Sequence, residues 1–475
     1  MIITRARRLL SRRFVQDTLI LQLSKALNTA LSAAGVLILW RLMPPEQFGI
    51  FALAESLLAL WAQLDFTGAG QAMYTRLGVA LGGRDAQTAL DVMAAYVRIG
   101  MTISIGIAVL VIVFGVPTAQ FVQGSAQVGR LAGGLAVAWV LEVLYQFVMS
   151  AFGAARQMRT ISALALVNQV VLTGCVIGAL LIAPTPELLV AGRVLYAVIT
   201  LALALYLYRR IRERAGLPAL KAVARRIPSV RLAGYWRFGV ANAIDKNAGS
   251  LFVQIPTQVA GIIGGAAAAG YLNLALRGIA NAGILTAAIF ENVEAVIPQA
   301  VGRGDFALLR RNLWRVIAVL GVGGISVFGG LVIVAPYLIP PILGAEWTPA
   351  VAPLSVLAFY GALAAVGGIF GPLYRAFNRM RSALIAKGIA LAVMIPLALA
   401  AVSRADDTAL MGVPRLNAFI GAVRLADPFA AVDASVIGAW LITLAFAISI
   451  SLTAAVMFTV LRSQPSIRHT HPEPT

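Results

Sequence analysis

The sequence predicts an all-α, polytopic membrane protein of about twelve transmembrane helices in two six-helix, pseudo-symmetric bundles. Three observations carry that expectation. Only 12% of the 475 residues are charged, against roughly 25% in soluble domains, and the mean hydropathy is +0.88. The apolar residues gather into repeated runs of about twenty, enough to cross a hydrocarbon core of ~30 Å at 1.5 Å per residue. With the N-terminus set in the cytoplasm, 27 of the 38 Lys and Arg fall in inner segments and 3 in outer loops. That asymmetry fixes orientation and an even helix count, so both ends face the cytoplasm. The same distribution excludes nucleic acid as the reason for the net charge of +19, because the cations sit in short loops between apolar runs.

Helix one, 18–43, follows the basic cluster from Arg5 to Arg13. It is too long for the apolar core of a signal peptide, and no small-x-small cleavage site closes it, so it reads as a retained helix. Gln22, Lys25, Thr29 and Ser32 draw a polar stripe along it. Helix two, 48–75, opens after Pro44-Pro45 and carries Glu55 and Asp65. Helices three (92–115), four (128–152), five (160–183) and six (187–208) are further apolar runs. Helix five contains Cys175, the single cysteine of the chain, which is read as a packing thiol; no intrachain disulfide is available.

The segment 209–232 holds eight cations and divides the chain. It reads as a basic cytoplasmic linker, its basic face on anionic headgroups. On one side lies an N-terminal bundle, 1–208; on the other a C-terminal bundle, 233–462, followed by a polar cytoplasmic tail, 463–475. Helix seven, 233–260, has Arg237 at its inner mouth. Asn242, Lys246, Ser250, Gln254 and Gln258 then recur every fourth residue, one continuous polar face, and Pro256 is expected to kink it. Helix eight, 268–301, carries Asn273 and Arg277. Helices nine (313–335), ten (349–374), eleven (382–402) and twelve (434–461) complete the set. The outer loop 403–433 spaces Leu416, Phe419, Ile420 and Val423 as a short interfacial helix would. Lys25 and Lys246, and likewise Gly49-Ile50-Phe51 and Gly270-Tyr271-Leu272, stand 221 residues apart. Their shared order points to a duplication in which both copies keep one orientation.

An ionisable group at a helix centre costs at least ~2.5–3.5 kcal/mol, so such residues face a cavity or a partner. Lys25, Lys246, Arg277 and Arg237 are expected to form a cationic cavity, with Asn242, Ser250, Gln254 and Asn273 as its polar lining. Internal ion pairing is the alternative, and Asp245 has a cross-helix partner as readily as its neighbour Lys246. Glu55, Asp65 and Asp245 are candidates for ion coupling. Arg41, Arg130 and Arg193 lie near outer helix ends and are expected to snorkel. No Walker A motif is present. The histidines, His469 and His471, lie in the tail, and no metal or haem set can be assembled. No catalytic residue, metal or cofactor is expected.

Arg41-Leu42-Met43-Pro44-Pro45-Glu46-Gln47-Phe48-Gly49-Ile50-Phe51-Ala52 resembles the first helical hairpin of the Wzx-type polysaccharide flippase family. That family belongs to the multidrug/oligosaccharidyl-lipid/polysaccharide superfamily. Leu64-Asp65-Phe66-Thr67-Gly68-Ala69-Gly70 is similar to its stretch late in helix two, Gly270 to Arg277 to its helix-eight opening, and Leu343 to Ala350 to its outer loop before helix ten. The resemblance implies a bacterial inner-membrane transporter that moves an undecaprenyl-diphosphate-linked oligosaccharide to the outer leaflet by alternating access around a cationic central cavity. The implied partners are that polyprenyl-linked oligosaccharide and membrane lipids, with polysaccharide polymerase or export proteins as candidates. Two other branches, lipid II flippases and multidrug antiporters, are competing readings. So is a membrane polysaccharide polymerase, for which the outer loop supplies little chemistry.

Overall fold

In hydrocarbon every backbone N–H and C=O must find its partner inside the segment, which leaves the helix as the solution for an open chain. The computed structural model describes residues 13–155, 157–232, 235, 240–302, 306–377, 379–403 and 433–463. Among them all regular structure is helical. The chain divides into two compact units, Met1–Ile244 and Asp245–Thr475.

The first unit contains α1 (Arg13–Leu42), α2 (Pro45–Ala62), α3 (Ala69–Gly82), α4 (Ala86–Gln123), α5 (Ala126–Ala154), α6 (Met158–Ile182), α7 (Pro186–Ile211) and the short α8 (Leu220–Arg226). α9 (Val240–Gly302) begins at the boundary. The second unit continues with α10 (Phe306–Leu343), a 3-10 turn (Ala345–Ala350), α11 (Val351–Gly367), α12 (Phe370–Ala376), α13 (Met380–Val402) and α14 (Ala434–Ser463). Nine spans among the described residues are long and apolar enough to cross a membrane. One of them joins two helices at Gly265; counting it as two, and adding α1 and the α2–α3 pair, gives the twelve expected passes.

Helix ends follow local chemistry. Pro45 and Pro186 sit in the first turns of α2 and α7, where the missing N–H costs nothing. Asp85 caps α4 by accepting from the Thr88 N–H at 2.9 Å and the Thr88 hydroxyl at 2.6 Å. Those bonds hold its carboxyl below the usual carboxylate range.

Two expectations are corrected. Helix two is not one rod over 48–75. Asp65 Oδ1 accepts from the Thr67 N–H at 2.9 Å and the Thr67 hydroxyl at 2.6 Å, and Gly68 follows at φ 54°. An aspartate that bonds the backbone two residues on offers a turn in place of the helix. The break between helices seven and eight falls at Gly265, at φ 71° and ψ −173°, a region open essentially to glycine alone. Pro256 keeps helical dihedrals, so the break falls at Gly265 and not at the proline.

In the first unit α4 packs on α5, α5 on α7 and α1 on α6. The α4–α5 crossing is close enough that a Cβ on Gly129 would stand 2.5 Å from the Gly115 carbonyl oxygen. The basic linker does not run free beside this unit. Leu217, Val223 and Val230 are buried in the same core as Tyr96, Phe152 and Tyr208. Arg226 donates to both oxygens of Asp91 at 2.6 and 3.1 Å, and that bond raises its pKa above the usual arginine value. Arg98, within the apolar run 92–115, reaches the carbonyls of Ile227, Pro228 and Val230 at 3.2–3.3 Å. It caps the C-terminal side of α8, where a cation meets the negative end of the helix.

In the second unit α14 packs on α11 and α13. Two of the resemblance-bearing segments meet there. Trp347 is fully buried and stands edge-on to Tyr271 at 6.1 Å, whose hydroxyl donates to the Glu346 carbonyl at 3.1 Å.

Candidate functional site

Each unit holds a pocket of its own. In the second, residues of α9, α10 and α11 enclose about 560 Å³. Among the described residues of its wall Arg277 is the one charged group, accompanied by Asn273 and Tyr360; Leu276, Ile279 and Phe328 supply much of the rest. Asn273 precedes Arg277 by one helical turn, and its Oδ1 accepts from Arg277 Nε at 2.7 Å. That bond fixes the plane of the guanidinium. Tyr360 is braced edge-on by Phe446 at 4.7 Å, and Phe328 packs over Gly361, where a Cβ would stand 2.5 Å from its ring.

The structure does not bring the other candidates into this wall. Lys246, Ser250 and Gln254 lie on α9 outside the pocket lining. Lys246 is exposed. Its neighbour Asp245 turns elsewhere: Lys387 of α13 donates to Asp245 Oδ1 at 2.7 Å and to its carbonyl at 2.8 Å, and the Tyr374 hydroxyl donates to Oδ2 at 3.3 Å. Consecutive residues point about 100° apart on a helix, which separates the two charges. Arg237 lies outside the described residues, as does the loop 404–432 with its expected interfacial helix, and the side chains of Lys25 and Asn242 are likewise outside them.

In the first unit a smaller pocket of about 160 Å³ is lined by Glu55, Trp139, Glu142 and Arg193. Arg193 Nη2 stands 3.6 Å from Glu55 Oε1 and 4.0 Å from Glu142 Oε1. These are ion-pair separations beyond hydrogen-bond reach. All three side chains are between a quarter and about a third exposed. Two carboxylates thus share one guanidinium. Arg193, which lies near an outer helix end and can snorkel, stands within ion-pair range of acids on α2 and α5. Asp65 stands apart from this group, in the turn between α2 and α3.

Lys387 is the functional-site residue that sequence reasoning missed. It lies well inside the apolar α13. An isolated lysine within an otherwise apolar helix is the signal that marks it. Among the described residues no cluster of metal-ligating groups occurs.

A family model described as a polysaccharide biosynthesis protein matches residues 38–352. No curated protein matches the chain. Among solved structures, the chain is similar to an inward-facing multidrug resistance MATE family transporter of the MOP superfamily. The identity is 16% and the TM-score 0.59, over 90% of this chain and 96% of that one. A eukaryotic MATE transporter aligns at 14% identity and TM-score 0.57, over 93% and 99% of the two chains. A MOP superfamily transporter from Pyrococcus furiosus, described as having a binding pocket of reverse polarity, aligns at 14% and 0.54, over 92% and 96%. Identities this low establish a shared fold.

Proposed function

Since the chain belongs to the polysaccharide biosynthesis protein family and carries the MATE-type fold of MOP superfamily transporters, we propose that it flips an undecaprenyl-diphosphate-linked oligosaccharide across the bacterial cytoplasmic membrane. The movement runs from the inner to the outer leaflet and supplies cell-surface or exported polysaccharide. The protein acts by alternating access, as a transporter and not an enzyme, with both termini in the cytoplasm.

The observation that carries this reading is Arg277, a guanidinium oriented by Asn273 in a pocket otherwise walled mostly by apolar groups. A diphosphate cannot enter hydrocarbon without replacing its hydration. A fixed guanidinium does that with paired, charge-assisted bonds, and low surrounding polarity strengthens them. Lys246, exposed on α9 outside this pocket, is the second cation of the reading and meets the substrate elsewhere on its path. The two compact units, Met1–Ile244 with its docked linker and Asp245–Thr475, are the moving parts.

No nucleotide-binding motif accompanies this chemistry, so the drive is an ion gradient, the membrane potential or consumption of product outside. Of the acids considered for coupling, Asp245 is neutralised by Lys387 and Asp65 is engaged in a turn. Glu55, joined by Glu142, supports the coupling role best. Two carboxylates gathered at one guanidinium are groups whose ionisation responds to a proton or sodium ion nearby.

The test is the fate of lipid-linked sugar in a strain lacking the gene. Undecaprenyl-diphosphate oligosaccharide is expected to accumulate on the cytoplasmic leaflet and to clear when the wild-type gene is restored. Arg277→Ala and Lys246→Ala are expected to restore membrane insertion but not export. Normal outward movement with a block only in polymerisation would turn the reading toward a membrane polymerase. The shared fold favours a multidrug antiporter as second reading. Proton-driven efflux of ethidium from vesicles holding the purified protein would establish it, whereas an arginine in the pocket wall disfavours an organic cation.

A further inference from the structure

The basic linker turns its larger aliphatic side chains toward protein. Of the Leu, Ile and Val residues in 209–232, Leu217, Val223 and Val230 are buried in the core of the first unit, and all the others pack against it. Polar bonds fasten the same segment. The Tyr208 hydroxyl donates to the Pro218 carbonyl at 2.8 Å, Arg98 donates to the carbonyls after α8, and Arg226 is bound to Asp91. What the linker presents outward is positive charge: Arg209, Arg210, Arg214, Lys221, Arg225 and Arg231 are all exposed. Glu213 is the only acid of the segment, and Arg212 donates to it at 2.7 Å.

We infer that this docked cationic face binds the headgroups of anionic phospholipids in the inner leaflet, by charge alone and without entering the hydrocarbon. Arg209 and Arg210 stand in the last turn of α7, which is long and apolar enough to span a membrane, so the face begins where headgroups lie. Arg210 lies over the ring of Tyr206 at 5.0 Å, and Tyr206 is half exposed, a placement that suits an aromatic residue at the lipid–water boundary. A helix that inserts into the interface needs an apolar face for the acyl chains, whereas the aliphatic residues of α8 face the protein core. A protein partner fits less well, because the centres of protein interfaces are depleted of charged residues. The inference goes beyond flipping and holds whatever the cargo is. It also differs from a general excess of inner cations, since the linker gathers its cations on a segment folded against the first unit.

The experiment places the full chain in nanodiscs of phosphatidylcholine, alone or mixed with phosphatidylglycerol. Phenylglyoxal, an uncharged reagent for arginine, is added, and the modified positions are mapped by mass spectrometry. Phosphatidylglycerol is expected to slow modification of Arg225 and Arg231 about fivefold or more, since one cation near an anionic surface contributes about that factor. Arg84, exposed in the turn between α3 and α4, is the internal control and is expected to change less than about twofold. The protection is expected to vanish in about 1 M salt, where charges are screened beyond ~3 Å. Lys221→Gln combined with Arg225→Gln, at exposed positions, is expected to remove most of the protection of Arg231 while the unfolding temperature stays near wild type. Equal reactivity of Arg225 and Arg231 in the two lipid compositions would overturn the inference. Equal protection of Arg84 would overturn it as well, by reducing the effect to a general attraction of inner cations. Protection that survives the salt would mean insertion and not charge, and protection of Arg231 unchanged in the double variant would mean that the linker cations do not act as one surface; either result sinks the proposal. So would single-stranded RNA that protects Arg225 and Arg231 equally well in phosphatidylcholine nanodiscs, since the face would then take any polyanion.

Discussion

Arg277 and Lys387 are both cations set in apolar helices, yet their surroundings assign them different work. Lys387 is closed off by Asp245, which takes two of its bonds at 2.7 and 2.8 Å. Arg277 is steadied by the neutral amide of Asn273 and lies in a pocket wall. Lys387→Met strands the Asp245 carboxylate, and a hydrogen bond to a charged group contributes about 1.5–3 kcal/mol. The variant is therefore expected to unfold earlier on heating in detergent. Asp245→Asn combined with Lys387→Met is expected to recover part of that loss, because the stranded charge is gone. If the two substitutions prove simply additive, the pair carries no coupling and the contrast with Arg277 fails. Residue identity was legible in the sequence here and pairing was not. Asp245 could be named as a buried acid, but Lys387 is 142 residues away, and no local spacing points from one to the other. Glu55, Glu142 and Arg193 repeat the lesson, with three charges on three helices meeting only once the bundle forms.

At the scale of elements, hydrophobic runs placed the helices well. Runs read at 128–152 and 160–183 are helices Ala126–Ala154 and Met158–Ile182. Interruptions were harder to read, because both are set by single-residue backbone chemistry that leaves hydropathy unchanged. Asp65-Phe66-Thr67-Gly68 turns the chain inside an apolar run, and Gly265 breaks α9 with a dihedral that Pro256 does not adopt. Close packing follows the same rule. Gly129→Leu is expected to force α4 from α5, since its Cβ would meet backbone at 2.5 Å. Overpacking costs typically ~1–3 kcal/mol, and backbone cannot step aside as a side chain can. A clear fall in the detergent unfolding temperature checks this; an unchanged temperature would mean the crossing has slack. The linker was legible as basic but not as docked, because Leu217, Val223 and Val230 are too sparse to announce a core of their own. Val223→Asp is expected to release it, with faster proteolysis at the exposed arginines around 225 while the α4–α5 hairpin stays protected.

For the whole molecule, charge asymmetry predicts orientation before any contact is known. The single cysteine makes this easy to check. Cys175→Ser leaves a chain without thiols, onto which Ser229→Cys, Pro184→Cys and Ser463→Cys can be placed one at a time at exposed positions. A membrane-impermeant maleimide is expected to reach position 184 in intact cells, and positions 229 and 463 only after the membrane is opened. The opposite pattern would reverse every inside and outside assignment made for the transport cycle.

The bond between Asp245 and Lys387 also has a history in time. Synthesis proceeds at about 5–20 residues per second, so the lysine appears roughly 7–30 s after the aspartate that needs it. During that interval Asp245 is without the lysine that bonds it in the finished chain. Insertion of this helix is thus provisional until Met380–Val402 emerges to claim it. A chain arrested earlier presents the cell's quality-control proteases with an acid that its own sequence has not yet learned to neutralise.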